Sequence, residues 1–401
     1  MVVTANDGAR SKPARSKLTA LVGKPSSTRS TTSSTTPSSS DDGTPATAYQ
    51  LNAEHTGVSS DGFSTAATQV WSDNLGASPS YPLIVDGQVF VIAGDDSSPD
   101  PSLYALDANT GNVDWGPVQL GGSRPWADLT YDAGKVFIVN GSGTMEAFDA
   151  GTGTLDWATQ LPTQWSFSAP PTGANGIVYT SGAGDGGTVY AVNEADGSLA
   201  WTQSVENGDT SSPAVSSGGV YVSYACGQSY DFDPNTGDLI WHRATACEGG
   251  GGKTPVLANG LLYVRDSSFP AVLDAGSGVL QSSFRSSGPA PAVTASMIYN
   301  LEDGTLSAAP ATPGSSISWT FTGDGTLSSA PIVAGDEVII AGTSGEVYGL
   351  SSSDGSVLWQ ASAGAAVPAP DEQNVSQPLT GLAESGGLLV VPAGDTLVAF
   401  R

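Results

Sequence analysis

Short apolar runs separated by Gly-, Asn- and Asp-containing turns fill most of the chain. Stretches such as SYPLIVDGQVFVI (Ser80–Ile92), SSPAVSSGGVYVS (Ser211–Ser223), KTPVLANGLLYVR (Lys253–Arg265) and SAPIVAGDEVIIA (Ser329–Ala341) each read as strand, Gly-containing turn, strand. Their apolar residues tend to alternate, the period of a strand with one buried face. A second phrase recurs between them: LYALDANTGNVDW (Leu103–Trp115), MEAFDAGTGTLDW (Met145–Trp157), VYAVNEADGSLAW (Val189–Trp201), SYDFDPNTGDLIW (Ser229–Trp241) and VYGLSSSDGSVLW (Val347–Trp359). In all five a Gly stands four residues before the Trp, in a tight turn whose positive φ Gly adopts without strain. The two phrases together predict a repeating meander of four strands.

The period of that meander is set by Trp. Gaps of 44, 42, 44 and 40 residues separate Trp71, Trp115, Trp157, Trp201 and Trp241; Trp319 and Trp359 follow after 78 and 40. A four-stranded unit of this length is a propeller blade. Seven full units start near Ser80, Asp128, Ala169, Ser212, Thr254, Ala290 and Ala330. An eighth offers three strands, around Pro378–Leu382, Gly387–Ala393 and Thr396–Arg401, and stops before its Trp strand. Thr68–Leu75, centred on Trp71, is expected to supply the missing strand. The predicted fold is therefore all-β: an eight-bladed propeller of four-stranded antiparallel blades, closed by pairing the N-terminal strand with the C-terminal ones, so that no sheet edge is left by the chain ends. Two blades are degenerate. Ser282 stands where the fifth blade should carry its Trp, and in the sixth Gly314 lies five residues before Trp319.

Composition changes the picture outside the repeat. Residues 26–40 are almost wholly Ser, Thr and Pro, which cannot bury a core, so residues 1–48 are expected to be a disordered N-terminal segment ahead of a propeller over 49–401. Such tethers often join an export signal or anchor to an exported domain, so the true start is expected upstream, or export is expected to use a signal this chain lacks. Six of the 13 basic residues lie in the first 48, leaving 7 bases against 36 acids over 49–401. A body this acidic repels phosphate, which argues against nucleic acid, nucleotides and anionic membrane surfaces. No apolar run is long enough to span a membrane.

The phrase YALDANTG followed by Trp resembles the repeat of the pyrroloquinoline-quinone (PQQ) type propellers, and the resemblance covers residues 49–401. The lead-in YQLNAEHTGVSS (Tyr49–Ser60) is similar to the one that precedes such propellers. The resemblance implies that Trp71, Trp115, Trp157, Trp201, Trp241, Trp319 and Trp359 pack between adjacent blades, with the turn Gly permitting close approach. Quinoprotein dehydrogenases of this type hold PQQ on the propeller axis beside a vicinal disulfide, a Ca²⁺ ion and a catalytic Asp. This chain has no adjacent Cys pair and no long blade inserts, so no cofactor is expected; PQQ or Ca²⁺ belongs to the alternative reading. The outer-membrane assembly propeller is another relative of this type, and it is a scaffold.

Candidate chemistry is sparse. Cys226 and Cys247 fall in loops on one face of the fourth blade, and a disulfide between them would fit an oxidising compartment. Two thiols and His242 do not make a zinc site. GGGGKTP (Gly249–Pro255) leads into a strand and reads as a connector rather than a phosphate loop. Acidic loops, among them Asp95, Asp96 and Asp100 in GDDSSPDPS, read as a solvated rim, with an ion site as the alternative. Only two histidines occur, His55 and His242, and no hydrolase motif accompanies them. No catalytic, cofactor-binding or metal residue is assigned.

The expected function is a non-catalytic binding scaffold outside the cytoplasm, secreted or at the cell surface, with a periplasmic location as the alternative. It is expected to act as a monomer on an unidentified protein or polysaccharide through one loop face. The candidate rim on that face is Arg124, Trp126, Gln164 and Trp165. Trp126 and Trp165 lie outside the blade register, either exposed for recognition or packed beneath the connector. The alternative is a PQQ-dependent oxidoreductase or another propeller enzyme.

Overall fold

The computed structural model describes residues 43–63, 66–184, 186–208, 210–245, 251–266, 269–284 and 288–401. The remainder of the expected N-terminal segment, residues 1–42, lies outside the described residues. The repeats fold into eight sheets, seven of them meanders in chain order. Blade 1 runs from strand Leu83–Val85 to strand Val113–Gln119, blade 2 from Ala127–Asp132 to Leu155–Gln160, and blade 3 from Thr172–Ala174 to Leu199–Val205. Blade 4 spans Ala214–Ser216 to Leu239–Arg243, blade 5 Val256–Ala258 to Leu280–Ser283, and blade 6 Ala292–Val293 to Trp319–Phe321. Blade 7 extends from Ile332–Ala334 to Val357–Ser362. Blade 8 takes three strands, Ala383–Ser385, Leu388–Ala393 and Thr396–Phe400, from the C-terminus and its fourth, Gln69–Asn74, from the N-terminus. Trp71 stands opposite Ala399 in that pairing.

The first strand of blade 8 begins later than the spacing suggests. Residues around Pro378–Leu382 are not a strand because they reach other blades first. Leu379 N–H points at the Asp128 carboxylate of blade 2, and Leu379 C=O accepts from Tyr81 N–H ahead of blade 1. Only after Leu382 does the chain join its own sheet.

Neighbouring blades are bolted together by one repeated contact. The Trp71 indole donates to Ala108 C=O at 2.9 Å, Trp115 to Ala150 at 2.8 Å and Trp157 to Glu194 at 2.9 Å. Trp201 donates to Pro234 at 3.0 Å, Trp241 to Ala275 at 2.8 Å and Trp319 to Ser352 at 3.2 Å. Each acceptor stands three residues before the hairpin Gly of the next blade. A Cβ on that Gly would lie 2.5–2.7 Å from the ring, so Gly serves the packing as well as the turn. An aromatic residue of the second strand, such as Phe90, Phe137 or Tyr179, leans on the Trp of its own blade at about 6 Å between centroids.

Trp359 departs from the pattern. Its indole donates to Glu337 of its own blade at 2.7 Å and packs against Phe63. Blade 8 takes its fourth strand from the other chain end, so it has no hairpin between its third and fourth strands to offer a carbonyl. In blade 5 Ser282 leaves the Trp position open, and Phe284 meets Tyr263 edge-on instead.

Candidate functional site

A meander places the turns between strands one and two, and three and four, on one face of the ring. The other face carries the turns between strands two and three and the connectors between blades. Both ends of the central channel are covered by the chain itself. The lead-in crosses the turn side. Carbonyls of Ala46, Thr47, Ala53, Glu54, Thr56 and Gly57 accept from Ile84, Tyr131, Val215, Leu257, Val293 and Val333, the equivalent inner-strand amides of blades 1, 2, 4, 5, 6 and 7. Val58–Ser59 adds a parallel strand to blade 7, and the Asp61 carboxylate accepts from Gly386 N–H in blade 8. Inner strands of a ring present an unpaired edge to the channel, and the lead-in satisfies it.

Within the channel Tyr49 packs against Tyr81 and His55, and all three side chains are inaccessible to solvent or nearly so. His55 contacts Pro255 C=O at 3.3 Å and the Thr172 hydroxyl at 3.2 Å, with Ser212 Oγ at 3.4 Å. The Ser212 hydroxyl donates to Pro170 C=O, and both residues are fully buried, so this Ser–His contact is structural.

The connector between blades 7 and 8 crosses the opposite mouth. Glu372 reaches blade 5, where it meets Arg265 at 2.7 Å and accepts from Thr254 N–H at 2.5 Å. Arg265 also donates to Thr254 and Gly288 carbonyls, and the pair is 1–2 % exposed. Burial alone would raise the Glu372 carboxyl, but Arg265 and the Thr254 amide hold it below the usual range. Val375 of the same connector packs in the cluster of Trp126 and Phe167 under blades 2 and 3. The axis is thus filled by Tyr49, Gln50, His55, Arg265 and Glu372. The described residues offer no adjacent Cys pair and no group of three or more His, Cys, Asp or Glu, Asp95, Asp96 and Asp100 included, that could hold an accompanying ion, so the donor set does not fit PQQ.

The rim on the connector face lies outside these buried groups. Arg124, Gln164 and Trp165 come together between blades 2 and 3 on the connector face. Arg124 donates to Ser166 Oγ at 3.1 Å and Gln164 to Thr188 Oγ1 at 3.0 Å. Trp165 is 59 % exposed. Trp126 corrects the expectation of a rim residue: it is 1 % exposed and packs beneath the connector with Phe137, Met145 and Phe167. Farther round the same face Phe269 is 41 % exposed, and the Asp266 carboxylate accepts from the Gly227 and Phe269 amides. Cys226 is nearly buried at a positive φ of 67° in the adjoining turn. No cysteine is free among the described residues, and Cys247 lies outside them. His242 stacks on Tyr230 at 4.0 Å and contacts Gln228 at 2.7 Å on the edge of blade 4.

Burial raises several carboxyls, Glu146 and Glu337 among them. Burial raises Asp128 well above the usual range; it also raises Glu194 to about 8, aided by Asp132. Asp231, beside Asp233, and Glu384, near Asp61, are pushed by burial to about 7. Unfolded carboxyls titrate near ~4. From there up to each raised value the native state holds more protons than the unfolded one, so stability falls as pH rises. His55 works oppositely: burial lowers it to about 4, and its contribution is lost as pH falls from ~6.5 towards that value. Because the raised carboxyls outnumber His55 and His242, which burial lowers, the melting temperature should be higher at about pH 5.5 than at about pH 8.5, by about 5 °C or more. Glu194→Gln should narrow the gap by stabilising the alkaline form. Calorimetry at both pH values checks this; a melting temperature that climbs with pH contradicts it.

Comparison with known proteins agrees with this architecture. The sequence profile of the family described as "Outer membrane protein assembly factor BamB" matches residues 118–247 and 185–378. Two curated relatives carry that same description. One, from Moranella endobia, is 26 % identical over 40 % of this chain and 46 % of its own length. The other, from Yersinia pestis, is 28 % identical over 35 % of this chain and 38 % of its own. The match therefore spans less than half of either relative. Among solved structures, a quinohemoprotein alcohol dehydrogenase from Comamonas testosteroni superposes with a TM-score of 0.69 at 14 % identity, covering 89 % of this chain and 80 % of its own. BamB from Moraxella catarrhalis does so with a TM-score of 0.61 at 21 % identity, covering 84 % and 99 %. At these identities the structural likenesses speak for the fold alone.

Proposed function

Because the chain belongs to the family described as outer membrane protein assembly factor BamB, we propose that it is a non-catalytic docking scaffold that holds a protein partner on its connector face. The observation that carries this reading is the channel closed at both mouths by the chain's own segments, which leaves a rigid rim as the place for recognition. Trp165 supplies an exposed aromatic anchor there, flanked by the polar arms of Arg124 and Gln164. Buried-on-binding Trp and Arg are the residue types that dominate protein interfaces. The curated relatives are named for outer-membrane protein assembly, which favours a protein partner over a polysaccharide and an extracytoplasmic site of action. A Cys226–Cys247 disulfide belongs to the same proposal and suits an oxidising compartment. Among the described residues no helix is long and apolar enough to cross a membrane.

A photo-crosslinking amino acid placed at position 165 in the producing cell should yield one discrete protein adduct. The same probe at Asn259, exposed on the turn face, should yield none. Trp165→Ala should weaken capture of that partner by about 1–3 kcal/mol without changing the melting temperature. Equal labelling from both positions, or adducts only to polysaccharide, would overturn the reading.

A further inference from the structure

The repeat that joins the blades has one vacancy. At six junctions an indole sits between one blade's fourth strand and the next blade's hairpin Gly, donating to a carbonyl three residues before it. Between blades 5 and 6 the indole is missing: Ser282 takes its place, and a Cβ on the corresponding Gly314 would meet nothing within 4 Å. The space left is a slot of about 330 Å³. Tyr263, Phe284, Pro313 and Ile317 give it apolar and aromatic walls, and Asn300 and Glu302 border it. The Ser282 hydroxyl, shielded from solvent, has no hydrogen-bond partner. Ala311, the residue equivalent to the acceptors at the other junctions, accepts a long 3.3 Å bond from Tyr263. That bond does not exhaust the carbonyl. At two other junctions a Tyr hydroxyl and a Trp indole share one oxygen, Tyr179 and Trp201 at Pro234, and Tyr299 and Trp319 at Ser352.

We propose that this slot is a binding site for a free indole-class ligand, a planar bicyclic ring with one N–H donor that stands in for the missing tryptophan. The volume lies within the range of small-molecule sites, and a lined hole of the right shape takes up small aromatics. It exceeds what an indole ring needs, so a substituent fits towards Glu302. That carboxylate, the absence of a basic residue among the described residues lining the slot and the acidity of the whole chain select a neutral or cationic ligand over an anionic one.

The test is calorimetric titration of the full-length protein with tryptamine, indole and indole-3-acetate. Tryptamine should bind most tightly and indole-3-acetate least. Ser282→Trp should fill the slot, raise the melting temperature and weaken tryptamine by about tenfold or more. Ile317→Lys, at a lining position that is 61 % exposed and therefore tolerant of change, should weaken tryptamine similarly and guards against misfolding of the first variant. Glu302→Gln should bring tryptamine down to the level of indole and leave indole unchanged. Failure of both tryptamine and indole to bind overturns the proposal, as does binding that neither Ser282→Trp nor Ile317→Lys reduces. The outcome is independent of partner docking at Trp165.

Discussion

A chain that starts at Ala66 should melt at least about 10 °C below the full-length protein, or fail to fold, although it keeps every strand of the eight sheets except the short Val58–Ser59 addition. The reason lies in the channel. Six inner-strand amides, from Ile84 round to Val333, lose their acceptors together. Tyr49 and Leu51 leave the core, and Tyr81 faces a water-filled hole in place of Tyr49. Each lost hydrogen bond is worth about 1 kcal/mol and each large buried side chain about 2–3 kcal/mol, against a total stability of about 5–15 kcal/mol. Loss of the ordering cost of the lead-in offsets part of this. A chain starting at Gly43 should melt like the full-length protein, since residues from Ala46 onward make the contacts. Thermal melts of the three chains decide the matter. Equal melting of the Ala66 chain would mean that the lead-in only decorates the ring.

Glu372→Ala should destabilise the protein by about 3–5 kcal/mol, because it strands the Arg265 guanidinium without a counter-charge. Arg265 is 1 % exposed, and its two carbonyl partners cannot neutralise it. The Thr254 amide loses its acceptor in the same step. Replacing both partners by apolar residues, Arg265→Met with Glu372→Leu, should recover much of the loss, since the two charges no longer need each other. The half-exposed pair Lys135–Asp156 provides the contrast: Lys135→Ala should cost less than about 1 kcal/mol. Denaturant titrations of the three variants separate the outcomes. An Glu372→Ala protein as stable as the parent would show that water reaches Arg265 through the connector.

Much of the wheel was legible in the chain because its chemistry repeats. Trp, the hairpin Gly four residues before it and the alternating strands all act within one blade and its neighbour, so spacing alone reports them. One exception was also written there: Ser282 stands at the Trp position of the fifth blade. What did not repeat was not legible. Glu372 and Arg265 are 107 positions apart, and neither sits in a phrase. The lead-in offers main-chain carbonyls, which carry no side-chain signature, so its course across the channel could not be read from Tyr49–Ser60. Trp126 and Trp165 look alike in sequence, yet one precedes an inner strand and is swallowed by the core, while the other follows Thr163, a non-Gly residue at φ 73° that turns the chain outward. Trp359 carries the right phrase, but its blade abuts the split one, and a local pattern does not report what its neighbour lacks.

The two chain ends are tied to one another: Thr68 and Arg401 exchange a pair of main-chain hydrogen bonds at 2.7 and 2.9 Å. A ribosome makes Thr68 long before Arg401. The strand Gln69–Asn74 must therefore wait for Thr396–Phe400 to emerge before its sheet can form and the circle can shut. Nascent chains stalled short of residue 396 should stay open and sensitive to protease at the lead-in, and any cellular factor that guards this protein during synthesis has that waiting stretch to hold.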